Sequence, residues 1–178
     1  IMISHELKCI FVHISRTGGS SIERTIFEKD WWFIDPATKH LTASKTKEIY
    51  KDYWDSYFKF SFVRNPWDRM ISCYSHRSYK KFFGTSLIDF LNNTKIPRHE
   101  PQFLEYTDIL DTDLDFVGKF ENLEEDFKYI KNKIGIKNEL KHFGKTKRTK
   151  YQDYYCDKSI RLVEEMYKKS IVKYEYKF

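Results

Sequence analysis

Apolar residues come in bursts along this chain, and the spacing inside each burst alternates between two periods. Residues 8–14 (KCIFVHI) form a mostly apolar run with β-branched members. Such a run predicts a strand covered on both faces, as in a parallel sheet. It breaks into small and polar residues at 15–21 (SRTGGSS), after which Ile22 and Ile26 share one face of a predicted helix, with Phe27 beside them. Residues 58–63 (FKFSFV) start a second unit of the same plan, with Phe58, Phe60 and Phe62 alternating. Pro66 suits the first turn of the helix that follows, and Trp67, Met70, Ile71 and Tyr74 recur in it at helical spacing. A third unit runs from a strand at 114–120 into a helix with Leu123, Phe127, Ile130 and Ile134 on one face. Residues 157–172 predict a last amphipathic helix through Ile160, Val163, Tyr167 and Ile171, and shorter helical candidates lie at 43–53, 86–92 and 101–106.

Strands alternating with helices predict an α/β domain built on a central parallel sheet flanked by helices. With 178 residues, no internal repeat and no Pro/Gly/Ser linker, one domain over 1–178 is expected. A hydrophobic fraction of 40% and an aromatic fraction of 18% exclude a disordered chain. The net charge of +6 favours an anionic partner. Nucleic acid, an anionic polysaccharide and a multiply phosphorylated nucleotide all meet that condition. Cys9, Cys73 and Cys156 are odd in number and contain no CxxC pair, which predicts free thiols rather than a zinc site or a disulfide framework. Residues 1–8 lack the apolar run of a secretory leader, and no stretch reaches the roughly eighteen apolar residues of a membrane span. A soluble, cytoplasmic chain is the expectation, and Ile1 ahead of Met2 leaves room for sequence upstream.

The loop at 15–21 carries the first chemistry. Gly18 and Gly19 let the backbone turn tightly and approach a ligand, and the following helix presents unpaired N–H groups at its positive end. Arg16 adds a cation, and Thr17, Ser20 and Ser21 add hydroxyls. These groups suit a phosphate or sulfate cradle. They suit equally an ordinary turn in which Ser20 caps the helix. No lysine follows the glycines, so the segment is not a Walker A loop.

Residues 11–21 (FVHISRTGGSS) resemble the 5′-phosphosulfate loop of sulfotransferases that use 3′-phosphoadenosine 5′-phosphosulfate (PAPS). The likeness is to the carbohydrate O-sulfotransferase branch, whose usual form is F-V-H-x-P-K-T-G-G-T-S. Residues 62–72 (FVRNPWDRMIS) resemble the 3′-phosphate segment of the same family, in which an arginine is followed eight residues later by a serine. The resemblance implies a P-loop-like, three-layer fold, PAPS as co-substrate, no metal and a hydroxyl-bearing acceptor, with a carbohydrate favoured. It implies that Arg16, Thr17, Gly18, Gly19, Ser20 and Ser21 hold the 5′-phosphosulfate and that Arg64 and Ser72 hold the 3′-phosphate. It further implies that Lys147, Arg148 and Tyr151, in the basic segment 145–155, contact the nucleotide. His40 matches the family's base, and a neutral imidazole is suited to taking a hydroxyl proton.

Two departures stand out: Ser15 replaces the loop proline and Arg16 the loop lysine. An arginine neutralises charge but donates no proton at ordinary pH, so a form that binds donor without turnover is a further possibility. Residues 118–123 are also family-like and read as scaffold, while 79–113 form a variable middle suited to the acceptor. Asp68 and Arg69 read as an ion pair, His13 as structural, Glu23 as a partner of the helix dipole and His76 as solvated; His5, His99 and His142 have no supporting constellation. A nucleotide-dependent small-molecule kinase of related fold and a polyanion- or nucleic-acid-binding domain are the alternatives. The missing lysine weighs against the first. Aromatic residues at core periodicity weigh against the second.

Overall fold

The computed structural model describes residues 2–76, 86–94, 103–143 and 148–178. Four strands, β1 (Met2–Ser4), β2 (Cys9–Val12), β3 (Phe58–Val63) and β4 (Phe116–Lys119), form one sheet in the order β1-β2-β3-β4. The last three run parallel, with Phe11 opposite Phe60 and Phe60 opposite Phe116. The predicted strand over 8–14 narrows to Cys9–Val12, and that over 114–120 to Phe116–Lys119. The expected central parallel sheet is present, with one strand added at its edge. Strand β1 pairs antiparallel with β2 through a turn in which Lys8 sits at φ 47°. Three residues carry too little periodicity to announce a strand.

Among the described residues the helices are α1 (Gly19–Ile26), α2 (Ala43–Ile49), α3 (Lys51–Trp54), α4 (Pro66–Tyr74), α5 (Leu87–Thr94), α6 (Tyr106–Ile109), α7 (Leu123–Ile134), α8 (Asp157–Met166) and α9 (Lys168–Tyr174). The first helix of the third short candidate begins at Tyr106; residues 101–102 lie outside the described set. The single helix expected over 157–172 is two, divided at Tyr167 (φ −124°). That side chain is fully buried, and its hydroxyl accepts from Arg69 Nη1 at 2.9 Å and donates to Phe103 O at 3.2 Å. Core packing rather than local propensity sets the break.

Alternate strand residues face opposite layers. Phe11, Phe60 and Phe62 pack against Ile22 and Ile26 of α1 and Phe127, Ile130 and Ile134 of α7. Ile10, Val12 and Val63 pack on the other face against Trp67 and Met70 of α4, Phe90 and Leu91 of α5, and Val163. Helices therefore cover both faces, in the three-layer α/β arrangement expected. The polar positions of FKFSFV are buried too, and each is satisfied. Ser61 Oγ donates to Val12 O at 2.7 Å, and Lys59 Nζ reaches two backbone carbonyls and Asp115. The carboxyl ends of β2, β3 and β4 share one edge, where open α/β sheets bind their ligands.

Candidate functional site

Gly18, at φ 87°, is the N-cap of α1, with no side-chain cap over the helix end. Ser20 lies inside the helix and is exposed, so it is not the cap. Ser21 N–H already donates to Gly18 O at 3.0 Å, while the amides of Gly19 and Ser20 ahead of it have no intrahelical carbonyl to reach and stay open to an anion. Gly19 is required for a separate reason: a Cβ there would stand 1.9 Å from His13 Nε2. Gly19→Ala is expected to displace the His13 ring and to cost about 1–3 kcal/mol, as overpacking does. Thermal unfolding followed by circular dichroism checks this, and an unchanged Tm would show that the ring has room to give.

The strand-to-helix loop is also fastened by its side chains. Thr17 Oγ1 donates to Ile14 O at 2.7 Å in a fully buried position, turned into the loop. Ser21 Oγ accepts from Phe143 N–H at 3.0 Å. Arg16 adopts φ 64°, a left-handed conformation rare outside glycine and found at functional sites. It is held from both sides: its Nε donates to Ser72 Oγ and its carbonyl accepts from Arg64 Nη1, each at 3.0 Å. Ser15, standing where the related loops have proline, accepts from the buried Arg69 through its carbonyl (3.0 Å) and its hydroxyl (3.4 Å).

Arg64 leaves the end of β3 with its guanidinium 3.9 Å over the Phe120 ring. Its Nε and Nη2 both donate to Asp68 Oδ2, at 2.8 and 2.7 Å. Asp68 Oδ1 accepts from Arg148 Nη2. The expected pairing of Asp68 with Arg69 is therefore corrected. Adjacent residues of a helix point to different faces: Asp68 meets Arg64, which stands just ahead of the cap of α4, and Arg69 turns inward to Ser15 and Tyr167. Arg148 Nη1 is buried without a hydrogen-bond partner. Burial pulls the Arg64 guanidinium below its ordinary pKa, and Asp68 beside it opposes that shift. Asn65 caps α4 by accepting from Trp67 N–H and Asp68 N–H, and its Nδ2 reaches Tyr151 Oη at 3.5 Å.

His40 sits across from this cluster. Its Nδ1 lies 3.1 Å from His13 O. A carbonyl can only accept, so Nδ1 carries the proton and Nε2 keeps its lone pair. Burial, with His13 next, pushes its pKa down to about 3, so the imidazole is neutral near pH 7. Behind it lies a closed charge network. Glu23 Oε1 stands 2.8 Å from His13 Nδ1, Glu23 Oε2 2.9 Å from Lys39 Nζ, and Lys39 Nζ 2.8 Å from Asp30 Oδ1. Glu23 is therefore no surface partner of the helix dipole: it is fully buried and meets His13, Lys39 and the Trp31 N–H.

One cavity of about 1000 Å³ joins these groups, at the upper end of small-molecule sites. His40, Arg16, Gly18, Gly19, Ser20 and Ser21 line it, and so do Arg64, Ser72, Arg148 and Tyr151. Thr17 does not, and Lys147 lies outside the described residues, as does His99. Sequence reasoning missed several of its walls. Phe120 and Glu121, read as scaffold, line it, as do Trp32, Asp68, His76 and His142. The Arg64/Asp68 spacing was the available signal; nothing local marks Trp32. Among the described residues no group of His, Cys, Asp or Glu is arranged to hold a metal, and no helix is long and apolar enough to cross a membrane. An uncapped helix end and an unpartnered buried guanidinium N–H fit an anionic, phosphate-bearing ligand.

The profile of the sulfotransferase family (Sulfotransfer_2) matches residues 1–177. An uncharacterised protein of Archaeoglobus fulgidus is 38% identical over 96 residues, 51% of this chain and 78% of that protein. Carbohydrate sulfotransferase 14 of Danio rerio is 29% identical over 111 residues, 44% of this chain and 30% of that protein's length. No solved structure matches the chain.

Proposed function

The chain belongs to the sulfotransferase family, and from that premise we propose that it transfers a sulfuryl group from PAPS to a hydroxyl of a carbohydrate acceptor. The observation that carries the reading is the single cavity lined by the glycine loop, Arg16, Arg64, Arg148 and the neutral His40. Its anion-binding groups and its one oriented base answer the two needs of the reaction.

Loop amides from Gly18 to Ser20, together with Ser21, would hold the 5′-phosphosulfate. Thr17 would contribute through its backbone, since its hydroxyl already donates to Ile14 O. Arg64, Ser72 and Arg148 would hold the 3′-phosphate, with Lys147 of the same basic segment, and Tyr151 would face the nucleotide. When bound, the donor supplies the sulfuryl group, and 3′-phosphoadenosine 5′-phosphate (PAP) is what remains. Arg16 neutralises charge on the leaving oxygen without giving it a proton. His40 Nε2 takes the proton of the acceptor hydroxyl. For the acceptor, the support is the name of the Danio rerio relative and the Trp32 ring. Half exposed and 5.8 Å from the His40 ring, it offers a flat face on which a sugar can rest. The kinase alternative still lacks its loop lysine; against a polyanion-binding surface, Phe11, Phe60 and Phe90 are spent in the core, while Phe33, Tyr53, Phe143 and Tyr154 stay exposed.

Calorimetric titration with PAP, against ADP and ATP, tests the donor. Binding that requires the 3′-phosphate is expected; a preference for ATP would return the kinase reading. Arg64→Ala is expected to weaken PAP by roughly 10- to 100-fold, the scale of charged hydrogen bonds of about 1.5–3 kcal/mol. Unchanged affinity would remove Arg64 from the site.

A further inference from the structure

We infer that Glu23 is a positioning residue for His40, holding the segment that carries the base against the helix that forms the donor loop. The inference rests on His40 being the base proposed above. Residues 28–42 hold only two short 3-10 turns, Trp31–Phe33 and Pro36–Thr38, so no helix or strand of their own keeps His40 in place. Both ends of the segment are instead pinned to one carboxylate of α1. Glu23 Oε2 accepts from Trp31 N–H at 3.0 Å and from Lys39 Nζ at 2.9 Å. Trp31 stands at the segment's start and Lys39 directly before His40. The second oxygen, Oε1, meets His13 Nδ1 at 2.8 Å, and the carbonyl of that same His13 is the group His40 Nδ1 engages at 3.1 Å. His13 and His40 rings lie 4.6 Å apart, centroid to centroid.

Asp30 completes the clasp. Its Oδ1 accepts from Lys39 Nζ at 2.8 Å and from Trp32 N–H at 3.1 Å, and its Oδ2 lies 3.5 Å from Arg24 Nη2. Glu23 and Lys39 are all but fully buried, so none of these bonds is exchanged cheaply for water. Because α1 also bears Gly19 and Ser20, one rigid helix sets the position of both the anion-binding amides and the base. A charged, double-acceptor carboxylate is what the arrangement needs. Glutamine has the same shape but no charge, and its amide nitrogen can meet His13 only by donating to an unprotonated Nδ1, so it weakens the hold on Lys39 and forces His13 into the other tautomer.

The test reads the imidazole directly. Long-range ¹⁵N–¹H spectra of uniformly labelled protein distinguish the two neutral tautomers of each histidine, with His40→Ala supplying the assignment. Wild-type protein is expected to show His40 as the single Nδ1–H form. Glu23→Gln is expected to lose that signature and show a mixture, while calorimetric PAP affinity stays close to wild type. Asp30→Asn, which leaves Glu23 in place and weakens the holds of Asp30 on Lys39 and Arg24, serves if Glu23→Gln fails to fold, and is expected to shift the His40 signals the same way. A His40 spectrum unchanged in whichever variant folds would overturn the inference. Failure of PAP to bind wild-type protein would defeat the sulfuryl-transfer reading instead, and would leave the tautomer result standing.

Discussion

His40→Ala is expected to lower turnover by roughly 10²- to 10⁴-fold, the usual contribution of a positioned base, while leaving PAP affinity nearly unchanged. Turnover is read as transfer of labelled sulfate from PAPS to a panel of oligosaccharides, and affinity by calorimetry. The side chain lines the cavity, but its hydrogen bond goes to His13 O rather than to Arg64, Ser72 or Arg148. A loss of PAP binding equal to the loss of rate would make His40 a donor ligand and sink the base assignment. The pH profile gives a second reading. A base must be unprotonated, and burial holds the His40 pKa at about 3, against an ordinary 6.5. Protonation therefore sets in only as pH falls well below 6.5. The acid limb of kcat/KM, which reports free enzyme, is expected far below the ordinary histidine range. A limb near 6.5 that vanishes in His40→Ala would mean that the imidazole is more open to water than its surroundings indicate.

Lys39→Met is expected to destabilise the fold by about 3–5 kcal/mol, because it leaves a buried charge without its partner. Lys39 is 2% exposed, and removing its ammonium strips Glu23 Oε2 and Asp30 Oδ1 of their cation together. For a chain of this length such a cost lowers Tm by on the order of 10 °C. Thermal and urea unfolding measure it, and a loss below about 1 kcal/mol would show that the network relaxes without the cation.

Acid is expected to act on the same cluster. His13 and His40 both have depressed pKa values, chiefly through burial. Below pH 6.5 the unfolded chain takes up protons that these imidazoles refuse. Stability present above pH 6.5 is then lost as pH falls, by up to about 1.4 kcal/mol per pH unit for each group. Burial opposes the charge on Glu23 and Asp30, but His13, Trp31 N–H and Lys39 hold the first below its ordinary 4.5, and Lys39, Trp32 N–H and Arg24 hold the second below its ordinary 3.8. Their stabilising share is lost in turn as pH drops past those values. Lys39→Met should flatten the lower part of this profile, since those carboxylates lose a principal reason for staying ionised.

Contacts within a few residues were legible in the chain. Strands β2, β3 and β4 follow from apolar runs, and the Asn65-Pro66 start of α4 from capping chemistry. The Gly18-Gly19 turn and the Arg64/Ser72 spacing were equally visible, and these residues do line one cavity. What the sequence by itself determined is this local scaffold, because periodicity, caps and glycine turns act over one or two helical turns or a single strand. Only the tertiary structure decided which side chains become partners, whether four residues apart or eighty. It joined Glu23 to His13 and Lys39, took Asp68 from its neighbour Arg69 and gave it to Arg64 and Arg148, and brought Phe120 under the Arg64 guanidinium. It also interrupted the last helix at Tyr167, to bury that ring beside Arg69. Each of these depends on which layer of the sheet a side chain meets, and that is settled when strands and helices pack, not by the residues on either side in the chain.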